Sequence, residues 1–192
     1  MIWMLSALAL GADPLMEEVF SHLAQAQTVQ SSFTQTQHRQ VLARPLVSRG
    51  SLVFARPDKL RWQVDTPARA IFVMDGPSFT TAMPDLGTVE QVSLAGQPEL
   101  LGLVEGLTVW LQADLAAVQR DYDASWQDGL LVLEPKKDAL SRWVKRFTLT
   151  LSSDHSEVVQ VALTEPDGDR VVLAFTDVKR GAPIAPQTFQ LK

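Results

Sequence analysis

The 192-residue sequence contains no cysteine. That one absence excludes disulfides, thiol nucleophiles, thiolate metal centres and lipid attachment at an N-terminal cysteine. Histidine is scarce. His22, His38 and His155 lie far apart, none belongs to a metal-binding or nucleophile motif, and each reads as a surface residue. There is no phosphate-binding glycine loop, dinucleotide fingerprint, nucleophile elbow or zinc-protease helix. The acidic run Glu165-Pro166-Asp167-Gly168-Asp169 lacks the ligand spacing of a calcium loop, and a hairpin turn explains it. Hence no catalytic residue, metal or cofactor is expected, and the chain does not read as an enzyme. Runs of Lys or Arg are also missing. With 22 acids against 17 bases the net charge is −5, which would repel a phosphate backbone, so nucleic acid is not an expected partner.

No apolar run is long enough to span a bilayer. Residues 1–12, MIWMLSALALGA, match the core of a secretory signal, with cleavage expected after Gly11 or Ala12, although no Lys or Arg precedes the run. The expectation is an exported, soluble protein in the periplasm, with residues 13–192 forming a single domain. At 46% hydrophobic and 20% charged residues, such a domain buries a core without staples.

Asp13-Pro14 is a helix start, with Asp as N-cap and Pro at the first helical position. Leu15, Val19 and Leu23 then recur at helical spacing to about Gln27. After Ser31 the period changes. Strands are expected at 32–41, 51–55, 60–64, 70–74, 79–82, 89–94, 122–127, 130–134, 144–152, 158–164 and 170–178, with a last one near 188–191. Asp75-Gly76, Asp128-Gly129 and Asp167-Gly168 fall between these runs as hairpin signals. Between Pro98 and Gln119 the period is helical again, with Gly102 and Gly106 predicting short, broken helices. Helices among so many antiparallel strands need apolar surface to cover, so a strongly curved sheet with the helices on its concave side is expected.

Alternation puts Leu52, Phe54 and Arg56 on one strand face, and Leu60, Trp62 and Val64 on a face of the next. Aromatic and methionine side chains on strands usually make ordinary core. Arg56, however, is costly in a sealed core unless paired, and methionines suit surfaces that accept varied apolar partners. A cavity wall is therefore the sharper reading.

These residues resemble the LolA family of periplasmic carriers that move lipoproteins to the outer membrane. The likeness rests on Ser32-Phe33-Thr34-Gln35, Arg56-Pro57, Trp62, Pro67, Ile71-Phe72 and Asp75-Gly76, in order and spacing from about Val29 to Val92. Weaker echoes run through Val89-Glu90-Gln91, Tyr122, Asp128-Gly129, Leu133-Glu134-Pro135-Lys136 and Phe147-Thr148. The resemblance implies a mainly β fold with a helical lid (α+β). This is a half-open antiparallel β-barrel of about 11–12 strands, with an N-terminal helix and short mid-chain helices covering its concave apolar face. It further implies Arg56 as the latch that fastens the lid. Cavity-lining candidates are Phe33, Phe54, Leu60, Trp62, Phe72, Met74, Phe79 and Met83, and lid positions are Leu100, Leu101, Leu103, Val104 and Leu107. The implied partners are acylated lipoproteins or other lipids, an inner-membrane release complex and an outer-membrane acceptor, with the carrier itself a monomer. Two alternatives stay open on sequence: a carrier of another lipid or glycolipid, or a non-enzymatic envelope sensor or interaction module with the same fold. Family members often extend beyond the last strand, whereas Lys192 here follows soon after Phe189, which bears on directional hand-over.

Overall fold

The computed structural model describes residues 13–93, 104 and 108–191. The expected signal at 1–12 and the lid positions Leu100, Leu101, Leu103 and Leu107 lie outside the described residues. Helix α1 (Pro14–Ala24) starts as the sequence predicts, with the Asp13 carboxylate accepting the Leu15 N–H at 2.9 Å and proline in the first turn. It stops three residues before the expected end at Gln27. The carbonyls of Leu23 in its last turn and of Ala26 beyond it accept from the Arg56 side chain, and that of Gln27 from the Arg56 N–H.

Eleven strands then form one antiparallel sheet: β1 (Thr28–His38), β2 (Leu46–Ala55), β3 (Lys59–Thr66), β4 (Ala70–Asp75), β5 (Ser78–Met83), β6 (Thr88–Ser93), β7 (Tyr122–Gln127), β8 (Leu130–Pro135), β9 (Arg146–Leu151), β10 (Val158–Thr164) and β11 (Arg170–Arg180). Their order is β6-β5-β4-β3-β2-β1-β11-β10-β9-β8-β7. Two consecutive meanders are thus joined by the long-range β1–β11 pair, and β6 and β7 remain as separate edges, so the sheet is open. At Asp128-Gly129 both residues have positive φ (51° and 76°), the geometry of a tight hairpin turn. Strand β2 begins five residues before the sequence suggested, since Leu46 and Val47 pair with Gln37 and Thr36 of β1. No strand forms near 188–191. Residues Pro186–Phe189 make a 3-10 turn instead. Both sides of β11 are already paired, and Pro183 and Pro186 lack the N–H that a ladder needs.

Between β6 and β7, residues 108–112 are helical and are followed by α2 (Leu115–Asp121), N-capped by Asp114. A one-turn helix, α3 (Asp138–Ser141), joins β8 to β9. One apolar cluster unites Met16, Val19 and Phe20 of α1, Trp110 and Leu111 of the mid-chain helix, and the inner faces of strands from both meanders. A single cluster shared by both flanks requires a sheet that curves around its helices. This is the mainly β, half-open arrangement with helices on the apolar face.

Gly50 shows how close that packing is. A Cβ there would lie 1.8 Å from the Gln63 carbonyl oxygen and 2.9 Å from the Phe33 ring, at a register irregularity between β2 and β3. Gly50→Ala forces backbone apart rather than nudging a side chain. It is expected to cost about 1–3 kcal/mol, the usual range for overpacking, read as a lower urea midpoint with unchanged slope.

Candidate functional site: an apolar cavity beside an arginine clasp

The inner sheet face and the mid-chain helix enclose a cavity of about 650 Å³. Leu60, Trp62, Phe72 and Phe79 line one wall, and Val104 and Leu111 lie on the helical side. Those six include four of the sequence-predicted lining residues and the one described lid position. The remaining candidates lie elsewhere. Phe33 is buried on the same inner face, packed against the wall with its ring centroid 4.2 Å from that of Trp62. Phe54 and Met74 belong to the packed core. Met83 is a correction: it is exposed. It has the same strand parity as Phe79, but it is the last residue before Pro84, at the sheet's rim, and finds nothing to pack on.

The sequence patterns did not single out the far wall, which includes Leu163 and Leu173 from β10 and β11, nor the polar and half-exposed end made by Gln35, Arg39, Trp143 and Glu165. The period-2 pattern marks Leu163 and Leu173 as inward-facing, but nothing local says that β11 returns to lie beside β1.

Arg56 ends the inner face of β2, its guanidinium carbon 5.9 Å from the Phe54 ring centroid. Nε donates to the Ala26 carbonyl at 2.8 Å, Nη2 to the Leu23 carbonyl at 3.0 Å, and Nη1 to the Gln112 carbonyl. One planar cation thus joins the C-terminal end of α1 to the end of the mid-chain helix. Helix C-termini leave carbonyls unpaired and carry partial negative charge, so a fork of donors fits them. Arg180 does the same from β11, donating to the His22 carbonyl and, at 2.8 Å, to that of Ser156. Burial, and then the charge of Arg180, lower the Arg56 pKa from its ordinary value. A legible signal for Arg180 existed: like Arg56, it ends a strand's apolar inner face, after Val178.

The clasp is adjacent to the cavity. Gln112, whose carbonyl Arg56 holds, directly follows Leu111, which touches the empty space. Displacing the helix from inside would therefore break the Arg56 bond.

A family model described as outer membrane lipoprotein carrier protein LolA matches residues 24–192. The chain belongs to the LolA family. It is similar to the outer-membrane lipoprotein carrier protein of Pseudomonas aeruginosa (strain UCBPP-PA14), 26% identical over 196 residues and covering 96% of this chain and 89% of that one. The corresponding protein of Vibrio cholerae (serotype O1, strain O395) is 28% identical over 184 residues, covering 94% and 85%. Among solved structures, a DUF1329 family protein from Desulfovibrio piger aligns with a TM-score of 0.54 at 14% identity, covering 92% of this chain and 96% of that one. A putative outer membrane lipoprotein-sorting protein domain from Vibrio parahaemolyticus gives 0.52 at 10% identity, covering 91% and 94%. At such identities these two likenesses concern the fold.

In this LolA-family cavity the polar end is ion-paired, one arginine between two carboxylates. Arg39 Nη1 lies 2.6 Å from Glu165 Oε1 and 3.2 Å from Asp169 Oδ2, and Asp169 also accepts the Gln40 N–H at 2.9 Å. The Gln40 N–H bond, and then Arg39, hold the Asp169 carboxyl below its usual range despite burial. A depressed carboxylate pKa contributes stability above the unfolded value of 3.8 and loses it as pH falls through the lower folded value. The destabilisation caused by Arg39→Leu is therefore expected to be largest at neutral pH and to shrink in acid, as read by urea unfolding at both pH values.

Proposed function

We propose that this protein is a periplasmic carrier that shelters the acyl chains of lipoproteins in the apolar cavity and moves them from the inner towards the outer membrane. The cavity carries this reading. Its volume of about 650 Å³ falls within the usual range of about 300–1,000 Å³ for ligand sites, and its wall of aliphatic and aromatic side chains suits a hydrocarbon. The printed names of the relatives, outer-membrane lipoprotein carrier proteins, point the same way. No described helix is long and apolar enough to cross a membrane. A release complex at the inner membrane and an acceptor at the outer membrane complete the route, with transfer needing no chemistry from the carrier itself.

Arg56 makes the binding reversible. Burying one long acyl chain yields on the order of 10 kcal/mol gross, at about 0.8 kcal/mol per methylene. If filling the cavity pushes Leu111 outward, the Arg56–Gln112 bond breaks, and part of that free energy goes into opening the lid. The coupling is limited by the difference in affinity between closed and open states.

Arg56→Leu should hold loaded lipid longer and pass it on poorly; unchanged loading and transfer would remove the latch role. Trp62→Glu places a charge on the wall and should reduce capture of a synthetic triacylated lipopeptide at least tenfold, with the fold retained by circular dichroism. Global unfolding of that variant would instead mean a filled core. Mass spectrometry of molecules co-purifying from the native envelope tests the cargo directly: acylated lipoprotein peptides support the carrier reading, while free glycolipid or an empty protein contradicts it.

A further inference from the structure

In an antiparallel meander, hairpin connections alternate between the two ends of the sheet. One end carries the turns at 56–58, 76–77, 128–129 and 152–157, and there Arg56 and Arg180 hold α1. The opposite end carries the β1–β2, β3–β4, β5–β6, β8–β9 and β10–β11 connections. Every large apolar side chain left exposed among the described residues lies at this second end. Val41, 91% exposed, and Leu42 sit in the β1–β2 loop, with Leu46 and Val47 at the start of β2. Met83, Leu86 and Val89 surround the β5–β6 turn, and Trp143, 50% exposed, is in the β8–β9 connection.

These side chains come from separate loops, so they form a rim rather than a groove for one inserted chain. The cavity reaches that rim, because Arg39, Glu165 and Trp143 line it. The charge of two of its segments differs from that of the whole molecule, while the β10–β11 turn at the same end carries Glu165, Asp167 and Asp169, the first and last of them paired with Arg39. Residues 39–49, RQVLARPLVSR, and 142–146, RWVKR, contain no carboxylate in a chain of net charge −5. Arg44, Arg49, Arg142 and Lys145 are exposed in these segments, and among the described residues none is within ion-pair distance of an acid. Aliphatic loop tips, a half-exposed tryptophan and basic flanks together match the chemistry of a bilayer interface carrying anionic headgroups.

We infer that the rim formed by the β1–β2 loop and the Trp143 segment docks on an anionic lipid bilayer, with the cavity mouth facing the membrane. Docking holds the mouth at the membrane surface, where the release complex and the acceptor of the carrier reading would hand cargo over. The inference rests on the carrier reading only for what moves through the mouth, since docking itself requires no cargo.

The test is flotation of the full, unloaded chain with vesicles of phosphatidylethanolamine and phosphatidylglycerol, beside vesicles of phosphatidylcholine. Binding to the anionic vesicles, weakened by salt, is expected, with a blue shift of tryptophan emission that Trp143→Phe removes. Arg44→Gln with Arg49→Gln should weaken binding by about fivefold for each arginine, the effect of about 1 kcal/mol per basic residue near such a surface. Val41→Asp with Leu46→Asp should abolish it, while Lys179→Gln at the other end of the sheet should change nothing. None of the substituted rim positions other than Trp143 lines the cavity, so lipopeptide capture measured in the same variants reports whether the fold and the cavity survive. No binding to anionic vesicles at low salt, or binding that survives both rim double variants, overturns the inference. Either result with capture intact leaves the carrier reading standing, whereas vesicle binding without lipopeptide capture overturns the carrier reading alone.

Discussion

The Arg56 guanidinium is the point on which α1, the mid-chain helix and the sheet meet. Helix α1 and the mid-chain helix each end with carbonyls facing the same place, and neither helix can satisfy the other's acceptors. A cation with five donors in one plane can. Because Arg56 belongs to the sheet, its bonds to Leu23, Ala26 and Gln112 tie both helices to the strand wall at one spot. The partners are backbone atoms, so the clasp depends on where the helices lie and not on which side chains they carry. Arg180 grips the same end of α1 from β11, and its like charge, after burial, lowers the Arg56 pKa from its ordinary value.

That arrangement explains why the sheet stays open. A closed barrel has no free edge, whereas this sheet leaves β6 and β7 each unpaired on one side. Here the inner face is shared with helices, and where they stand off from β3, β4 and β5 the space becomes the cavity between Trp62, Phe72, Phe79 and Leu111. The clasp occupies one end of the molecule, and the apolar loop tips, the acidic 165–169 turn and the cavity's polar end occupy the other. The pattern follows from meander topology, which sends alternate connections to opposite ends, so that each end can acquire its own surface chemistry.

Much of this was legible in the sequence because it is local. Strand alternation turned Leu60, Trp62, Phe72 and Phe79 inward, Asp13-Pro14 opened α1, and Asp128-Gly129 closed a hairpin. The unusual placing of a charged residue at the end of an apolar strand face marked Arg56. Strand alternation also marked Met83 for the inside, where parity was right and position wrong: it is the last residue of β5, directly before Pro84, and it is exposed. The early start of β2 and the missing strand near 188–191 have the same origin, since available partners decide how far a ladder extends.

The sequence by itself therefore determined which side chains face inward, where the chain turns, and that one arginine is out of place among its neighbours. These depend on φ/ψ preferences and on the two-residue period of a strand, which need no knowledge of distant residues. Only the tertiary structure decided what Arg56 holds, that Arg180 stands beside it, and that Arg39 meets Glu165 and Asp169 at the far end of the cavity. Those contacts join residues up to 158 positions apart. The family resemblance implied that Arg56 fastens the lid, but backbone carbonyls carry no residue identity, so the sequence could not name those of Leu23, Ala26 and Gln112 as its partners.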